Sequence, residues 1–72
     1  MRVTFDRSAN AAYIYLTTIP PGGAARQHVV DERHARGQII LDLDSKGRLI
    51  GVEVLNATAA LPVEVLDAAE RI

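Results

Sequence analysis

The stretch that most constrains the fold runs from Gly37 to Asn56, because it holds the densest run of branched aliphatic residues in the chain. It reads GQIILDLDSKGRLIGVEVLN, which is two apolar segments around Asp44-Ser45-Lys46-Gly47. Aspartate at the first turn position accepts from backbone N–H groups two residues on, and glycine tolerates the positive φ of a bulged turn. Since Ile, Leu and Val without proline suit a pleated, buried surface, the stretch predicts a β-hairpin.

Two registers of this hairpin are compatible with the sequence. A bulged turn that pairs Asp44 with Arg48 places Leu41 opposite Gly51, whereas a plain four-residue turn places Leu41 opposite Ile50. In both registers aliphatic side chains point to both faces of the sheet, because successive side chains of a strand alternate. In the first strand Ile39, Leu41 and Leu43 point to one face and Ile40 to the other. In the second strand Ile50, Val52 and Val54 point to one face and Leu49 and Leu55 to the other, and the register decides which of these sets share a face.

The remaining elements follow from the spacing of apolar residues. Alternation predicts strands around Val3 and Phe5 and around Ala12 and Ile14, and a weaker strand before the hairpin. The Pro-Pro-Gly-Gly segment at 20–23 predicts a loop, and the period becomes helical after Ala57. The predicted strands span about residues 2–6, 11–17, 25–30, 38–44 and 48–55, and the predicted helix spans about residues 62–71.

These elements predict one α+β domain over residues 1–72, a five-stranded antiparallel β meander with one C-terminal α-helix packed on one face. A chain of 72 residues hides only about 60% of the surface that its unfolded form exposes, so it is marginal alone. It has no cysteine to form disulfides or thiolate metal sites, and oligomerisation is the remaining common device. Because one helix covers one face, we expect a homodimer that buries the second face.

Charge and composition exclude several function classes. The net charge is −1 and acidic and basic residues are mixed along the chain. Without a basic block, nucleic-acid binding is not expected. The N-terminal residues lack the apolar core of a signal peptide, and no apolar run approaches the roughly 20 residues of a membrane span. We therefore expect a soluble cytoplasmic protein without a membrane partner.

Acidic residues of the hairpin are the first candidates for chemistry. Asp42, Asp44, Gly47 and Glu53 match four positions of a helix-loop-helix calcium loop, but Lys46 places a cation where an oxygen ligand belongs. The flanking segments also read as strands, so the pattern favours a hairpin turn with solvated acids. Glu53 is interpreted as a half-exposed strand carboxylate, with an acid of raised pKa as the functional alternative.

Other polar residues give weaker patterns. His28 and His34, with Asp31 or Glu32 nearby, have no rigid spacing for a metal site. The segment Arg33-His34-Ala35-Arg36 is too short for tight phosphate binding, and Ser8 and Ser45 lie in predicted turns without a nucleophile motif. We therefore assign no catalytic, cofactor-binding or metal-binding residue, expect no cofactor, and expect no enzyme.

Two segments together resemble a known family. They are Val3-Thr4-Phe5-Asp6 followed by Ala11-Ala12-Tyr13-Ile14-Tyr15-Leu16, and Ile40-Leu41-Asp42-Leu43-Asp44 with Gly47 followed by Leu49-Ile50-Gly51-Val52-Glu53-Val54-Leu55 and Ala57. This pattern, which extends over roughly Arg2 to Leu61, resembles DUF2283, a family of small bacterial proteins with no assigned function. The resemblance implies a small sheet-plus-helix fold and no reaction.

Besides weak nucleic-acid binding through the segment from Asp31 to Arg36, three hypotheses of function remain open. The first is a non-catalytic protein–protein interaction module that acts as a homodimer, and it rests on the surplus apolar face. Some small bacterial proteins of this type look like partners of ribonuclease-type toxins, so an antitoxin-like partner is a second hypothesis by analogy. The third is a small ligand-binding protein or enzyme that uses Glu53 or the turn acids Asp42 and Asp44.

Overall fold

Strands form where apolar and polar residues alternate, and short helices follow them. A computed structural model describes all 72 residues. The fold is α+β, as predicted, with six strands and two short helices rather than five strands and one helix. The elements are β1 (Arg2–Asp6), β2 (Ala11–Tyr15), β3 (Arg26–Val30), β4 (Ile39–Leu43), β5 (Leu49–Leu55), α1 (Ala57–Ala60), α2 (Val63–Ala68) and β6 (Glu70–Arg71).

The strand order differs from the predicted meander. The order across the sheet is β3-β4-β5-β2-β1-β6, so β2 pairs with β5 and not with β3. β3 reads RQHVV and is mostly exposed, which suits an edge strand, whereas the apolar β5 gains two neighbours in the centre. The connection from Leu16 to Ala25 therefore crosses the end of two strands, a span of roughly 14 Å at ordinary strand spacing.

The central hairpin follows neither predicted register along its whole length. At the turn, the Asp44 N–H donates to the Arg48 carbonyl at 2.9 Å, as in the bulged alternative. Further along, Leu41 pairs with Val52 and Asp42 with Gly51, whereas Leu43 pairs with Leu49. The pairing skips Ile50, so this residue is the extra residue of a β-bulge, and such a bulge shifts the register by one residue.

The two faces of the sheet differ in chemistry, although aliphatic side chains lie on both, as predicted, with Ile40 and Leu55 on the more polar one. Paired residues of neighbouring strands share a face. The apolar face carries Val3, Phe5, Ala12, Ile14, Ile39, Leu41, Val52 and Val54. The polar face carries mainly Arg2, Thr4, Tyr13, Tyr15, Asp42, Gly51 and Glu53, with Ile40 and Val29 towards the β3 edge.

Both helices lie on the apolar face, at one end of it. The buried cluster consists of Phe5, Ala12, Ala57 and Leu66, and Leu61 and Ala69 pack against it. Val54 and Ile50 are also buried, at 3% and 8% exposure. No large side chain in the chain is fully buried, so the helices build only a small core.

The C-terminal segment is less helical than its periodicity predicts. α2 ends at Ala68, and Glu70 and Arg71 then form β6, which pairs in parallel with Thr4 and Phe5. The Ile72 N–H donates to the Phe5 carbonyl at 3.1 Å. The open edge of β1 offers unpaired backbone groups, and satisfying them competes with a last helical turn. The longest helix has six residues, and no helix is suited to cross a membrane.

Two asparagines join the β1–β2 turn to the start of α1. Both Asn10 and Asn56 have left-handed backbones, with φ of 51° and 57°. The Asn10 amide donates to Asn56 Oδ1 at 3.2 Å and to Thr58 Oγ1 at 3.0 Å. The Asn56 amide donates to the Arg36 carbonyl at 2.9 Å. Because asparagine tolerates the left-handed region, it serves here as both a turn residue and a link.

We expect Asn56→Ala to lower the free energy of unfolding by roughly 1–3 kcal/mol, because it adds left-handed strain and removes side-chain hydrogen bonds. Asn56→Gly removes the same bonds without the strain, so it should cost less. Chemical denaturation of both variants checks the prediction. Equal losses for alanine and glycine would show that the backbone conformation contributes nothing.

Candidate functional site

The Tyr13 side chain crosses the polar face diagonally and reaches Asp42 two strands away. Tyr13 lies on β2 opposite Glu53, and Asp42 lies on β4 opposite Gly51. The Tyr13 hydroxyl donates a hydrogen bond to Asp42 Oδ2. A Cβ on Gly51 would collide with the Tyr13 phenol, so glycine at this strand position makes room for the ring.

The Asp42 carboxyl group is buried with one unsatisfied oxygen. The residue is 5% exposed. Its Oδ2 receives the Tyr13 hydroxyl, while its Oδ1 is buried and has no hydrogen-bond partner. Buried polar atoms are nearly always paired, so an orphaned carboxylate oxygen marks a position where a donor is missing.

Aromatic and charged groups surround this pair. The Tyr13 and Tyr15 rings lie 4.6 Å apart between centroids at an angle of 55°. The Arg2 guanidinium lies 4.8 Å from the centroid of the Tyr15 ring, and its Nε donates to Glu70 Oε2 at 2.7 Å. Glu53 is half-buried beside Tyr13. The ion pairs of the chain join Arg2 with Glu70 and Arg48 with Asp44, so Glu53 pairs with no cation.

The environment raises the pKa of the Tyr13 phenol above its ordinary value. Burial of the ring contributes most, and the hydrogen bond to Asp42 follows. The negative charges of Asp42 and Glu53 act in the same direction. Each of these effects disfavours a phenolate. Tyr13 therefore acts as a neutral hydrogen-bond donor on this face.

The hairpin acids do not form the calcium loop that their spacing resembles. Asp44 Oδ1 accepts from the N–H groups of Lys46 and Arg48, both at 2.9 Å, and its Oδ2 accepts from Arg48 Nε at 2.8 Å. Gly47 has a φ of 78°. The predicted turn is thus confirmed in its geometry. Asp42 is directed towards Tyr13 instead, and no three histidine or acidic side chains are grouped to hold a metal ion.

The remaining candidates lie apart from one another. His28 is on β3 opposite Leu41, on the apolar face, while His34 is in the β3–β4 connection, where its N–H donates to Glu32 Oε1 at 2.7 Å. The segment at 33–36 is a mostly exposed turn. The Ser8 hydroxyl donates to Asp6 Oδ1 at 2.8 Å within its own turn.

The largest cleft, of about 590 Å³, lies between the 17–25 connection and the β4–β5 turn. Its charged lining residues are Asp44 and Arg48, which are already paired with each other at 2.8 Å. Ser45 and two threonines complete its polar lining, with no histidine among them. The cleft therefore offers no group free to act as a base.

Sequence reasoning missed the Tyr13–Asp42 pair. The residue pattern places Tyr13 only within a predicted strand, and it indicates for Asp42 only the role of a turn acid. The one signal for their contact is Gly51, because a glycine inside an apolar strand often marks the close approach of another group. Even so, the partner strand had to be known before Tyr13 could be placed over that glycine.

Fold and site together define a small α+β protein with one sheet, an apolar face partly covered by helices, and an opposite face built around the buried Asp42 and its donor Tyr13. The chain belongs to the family of proteins of unknown function called DUF2283, whose sequence profile matches residues 2–57. The matched region holds the first five strands and all of the residues Tyr13, Asp42, Gly51 and Glu53. Comparison with curated proteins and with solved structures gives no match.

We predict that Tyr13 titrates well above the value of about 10 of a free tyrosine. A Tyr15→Phe variant leaves Tyr13 as the single tyrosine, since the chain has two, and phenolate absorbance then follows it alone. Asp42→Asn should lower this pKa, because it removes a charged acceptor, and Glu53→Gln should lower it less. A midpoint that is unchanged by Asp42→Asn would contradict the hydrogen bond.

The same shift makes a prediction about stability. The pKa of Tyr13 is higher in the folded state than in the unfolded chain, so its contribution to stability is complete below pH of about 10 and is lost as the pH rises through the folded value.

We expect Gly51→Ala to lower the free energy of unfolding by roughly 1–3 kcal/mol, because the new methyl group overpacks against the ring. Chemical denaturation measures this loss. The loss should shrink in a Tyr13→Ala background, and an equal loss there would refute the clash.

Proposed function

We propose that the protein is a non-catalytic protein–protein interaction module that works as a homodimer. The observation that carries the proposal is a row of apolar side chains in the centre of the sheet that the chain's own helices leave open. The two helices lie over the neighbouring row instead. The proposal places the interface on the face that bears the helices and not on the opposite, polar face.

The open row consists of Val3, Ile14, Val52 and Leu41, which are paired side by side across β1, β2, β5 and β4. All four are only partly buried, although all of them lie on inner strands of the sheet. Beyond this row Leu16 is 39% exposed and Leu49 is 42% exposed. A contiguous apolar surface on central strands is typical of an interface.

The size of the core supports the need for a partner. Phe5, Ala12, Val54, Ala57 and Leu66 are buried and belong to the end of the face that the helices cover. The open row of the apolar face is therefore less completely buried in a single chain than the part under the helices. Because each Å² of apolar surface removed from water contributes about 25 cal/mol, covering the open row would add substantially to a marginal domain.

A second copy fits the open row better than a charged partner does. The row carries no charge, so two copies related by a twofold axis present the same surface to each other without unpaired ions. Sheets pack face to face at about 10 Å, with their side chains interdigitated. The molecule measures 33 × 27 × 19 Å, and its broad face is of the same order as the roughly 800 Å² per partner that a standard interface buries.

We expect sedimentation equilibrium at roughly 100 μM, well above the micromolar dissociation constants of moderate complexes, to give twice the mass of the 7.8 kDa chain. Val52→Lys should weaken the dimer at least about 100-fold, because it buries an unpaired ammonium group in the interface. Circular dichroism verifies that the variant is folded.

Val29→Lys is the matched control. Val29 is 50% exposed and lies on the polar face of the edge strand, so the same substitution there should leave the dimer intact. A wild-type chain that sediments as a monomer, or two lysine variants that dissociate alike, would remove the proposal.

A further inference from the structure

Asp42 Oδ1 is a buried acceptor for which the chain supplies no donor. The residue is 5% exposed, and its other oxygen is occupied by the Tyr13 hydroxyl. The site lies on the polar face and so is independent of the proposed dimer surface. A protein group that is buried and unpaired in this way is suited to a donor that arrives from outside.

The charge of the polar face indicates what kind of donor fits. Four acids lie on this face, Asp6, Asp42, Glu53 and Glu70, against one cation, Arg2. Arg2 is already paired with Glu70, and Asp6 Oδ1 accepts from Ser8 and Ala9. Asp6, Asp42 and Glu53 therefore have no cation partner, and of these Asp42 and Glu53 lie beside the Tyr13 ring, so the face is complementary to positive charge.

The tyrosines make the same surface suitable for a planar cation. Arg2 already places its guanidinium 4.8 Å from the Tyr15 centroid, so the chain itself shows this contact once. Asp42 and Glu53 are diagonal neighbours, since Gly51 opposite Asp42 lies two residues from Glu53. Diagonal side chains are roughly 7 Å apart. A guanidinium spans such a pair and stacks on a ring, which a compact ammonium group does less well.

We propose that the polar face binds an arginine side chain of a partner protein, with Asp42 and Glu53 as its anionic contacts and Tyr13 as a displaceable cover. A cleft of about 230 Å³ is lined by Tyr13, Glu53, Thr4 and Asp6, and not by Asp42, so it offers the guanidinium an entry beside Glu53 only. Because Asp42 Oδ1 is closed to solvent, the guanidinium reaches it when the Tyr13 hydroxyl gives up its hydrogen bond and the ring moves off Gly51.

The probe is a short neutral peptide with one central arginine, compared with identical peptides that carry lysine or citrulline. Binding is followed by amide chemical shifts of Gly51 and Glu53 in the intact protein, with Gly47 in the distant turn as an internal reference. Tyrosine fluorescence gives a second readout, because the chain has two tyrosines and no tryptophan. The arginine peptide should produce saturable shifts at Gly51 and Glu53 and a change in tyrosine emission.

Four variants separate this site from general charge attraction. Asp42→Asn should weaken binding of the arginine peptide at least about 10-fold, which equals about 1.4 kcal/mol of binding free energy. Glu53→Gln should weaken binding of the same peptide several-fold. Tyr13→Phe should bind several-fold more tightly, because no hydroxyl competes for Asp42. Asp67→Asn, at an exposed acid of α2, makes the same change of net charge away from the site and should bind like wild type.

Several results would overturn the proposal. The first is an equal shift of the same amides by the arginine and citrulline peptides, and the second is a lysine peptide that binds as tightly as the arginine peptide. The third is an Asp67→Asn variant that loses as much affinity as Asp42→Asn. Unchanged binding by Glu53→Gln and Tyr13→Phe would also overturn it. These two substitutions keep the test decisive if Asp42→Asn does not fold.

Discussion

The register of β5 against its two neighbours is the constraint on which the rest of the structure depends. β5 lies between β2 and β4 and is paired with both along most of its length. On the β2 side the pairing is regular, while on the β4 side a bulge at Ile50 shifts it by one residue. That shift aligns Val52 with both Ile14 and Leu41, and it aligns Gly51 with both Tyr15 and Asp42. A slip of one residue on either side would exchange the two faces.

Once β5 is placed, the two faces of the sheet are stabilised in different ways. The apolar face is stabilised by burial, because its aliphatic side chains contribute in proportion to the surface that they hide from water. This burial stays incomplete where the helices end. The polar face depends on specific side-chain hydrogen bonds. Thr4 and Asp42 are buried there at 2% and 5% exposure, and Tyr13 supplies both cover and a donor to Asp42. A buried carboxylate with a single donor is costly to maintain in water-excluded surroundings. The polar face is therefore not simply the solvent side of the sheet.

Local features of the fold could be predicted from the sequence, whereas long-range ones could not. The Asp44–Gly47 turn follows from two residues with definite backbone preferences, and the strands follow from alternation over short segments. The pairing of β2 with β5 joins residues that are far apart in sequence, such as Tyr13 with Glu53 and Tyr15 with Gly51. The bulge at Ile50 was missed because both predicted registers assumed one uniform pairing. The helix over 62–71 was too long because periodicity carries no information about the open edge of β1, which takes Glu70 and Arg71 instead. The Tyr13–Asp42 pair required all of these long-range placements at once.

The separation of the two faces has a consequence for assembly. In a dimer formed through the open row, the sheets face each other and the polar faces point outward on opposite sides of the particle. Each particle then carries two copies of the Asp42–Glu53 surface, too far apart for one arginine to touch both. A partner with two suitably spaced arginines, or a partner that is itself dimeric, would gain affinity through the second contact without any new interaction. Dimerisation would in this way strengthen recognition on a face that takes no part in the dimer contact. The two proposed properties would be coupled through geometry alone, because the thin sheet presents successive residues of β5, Val52 and Glu53, to opposite sides.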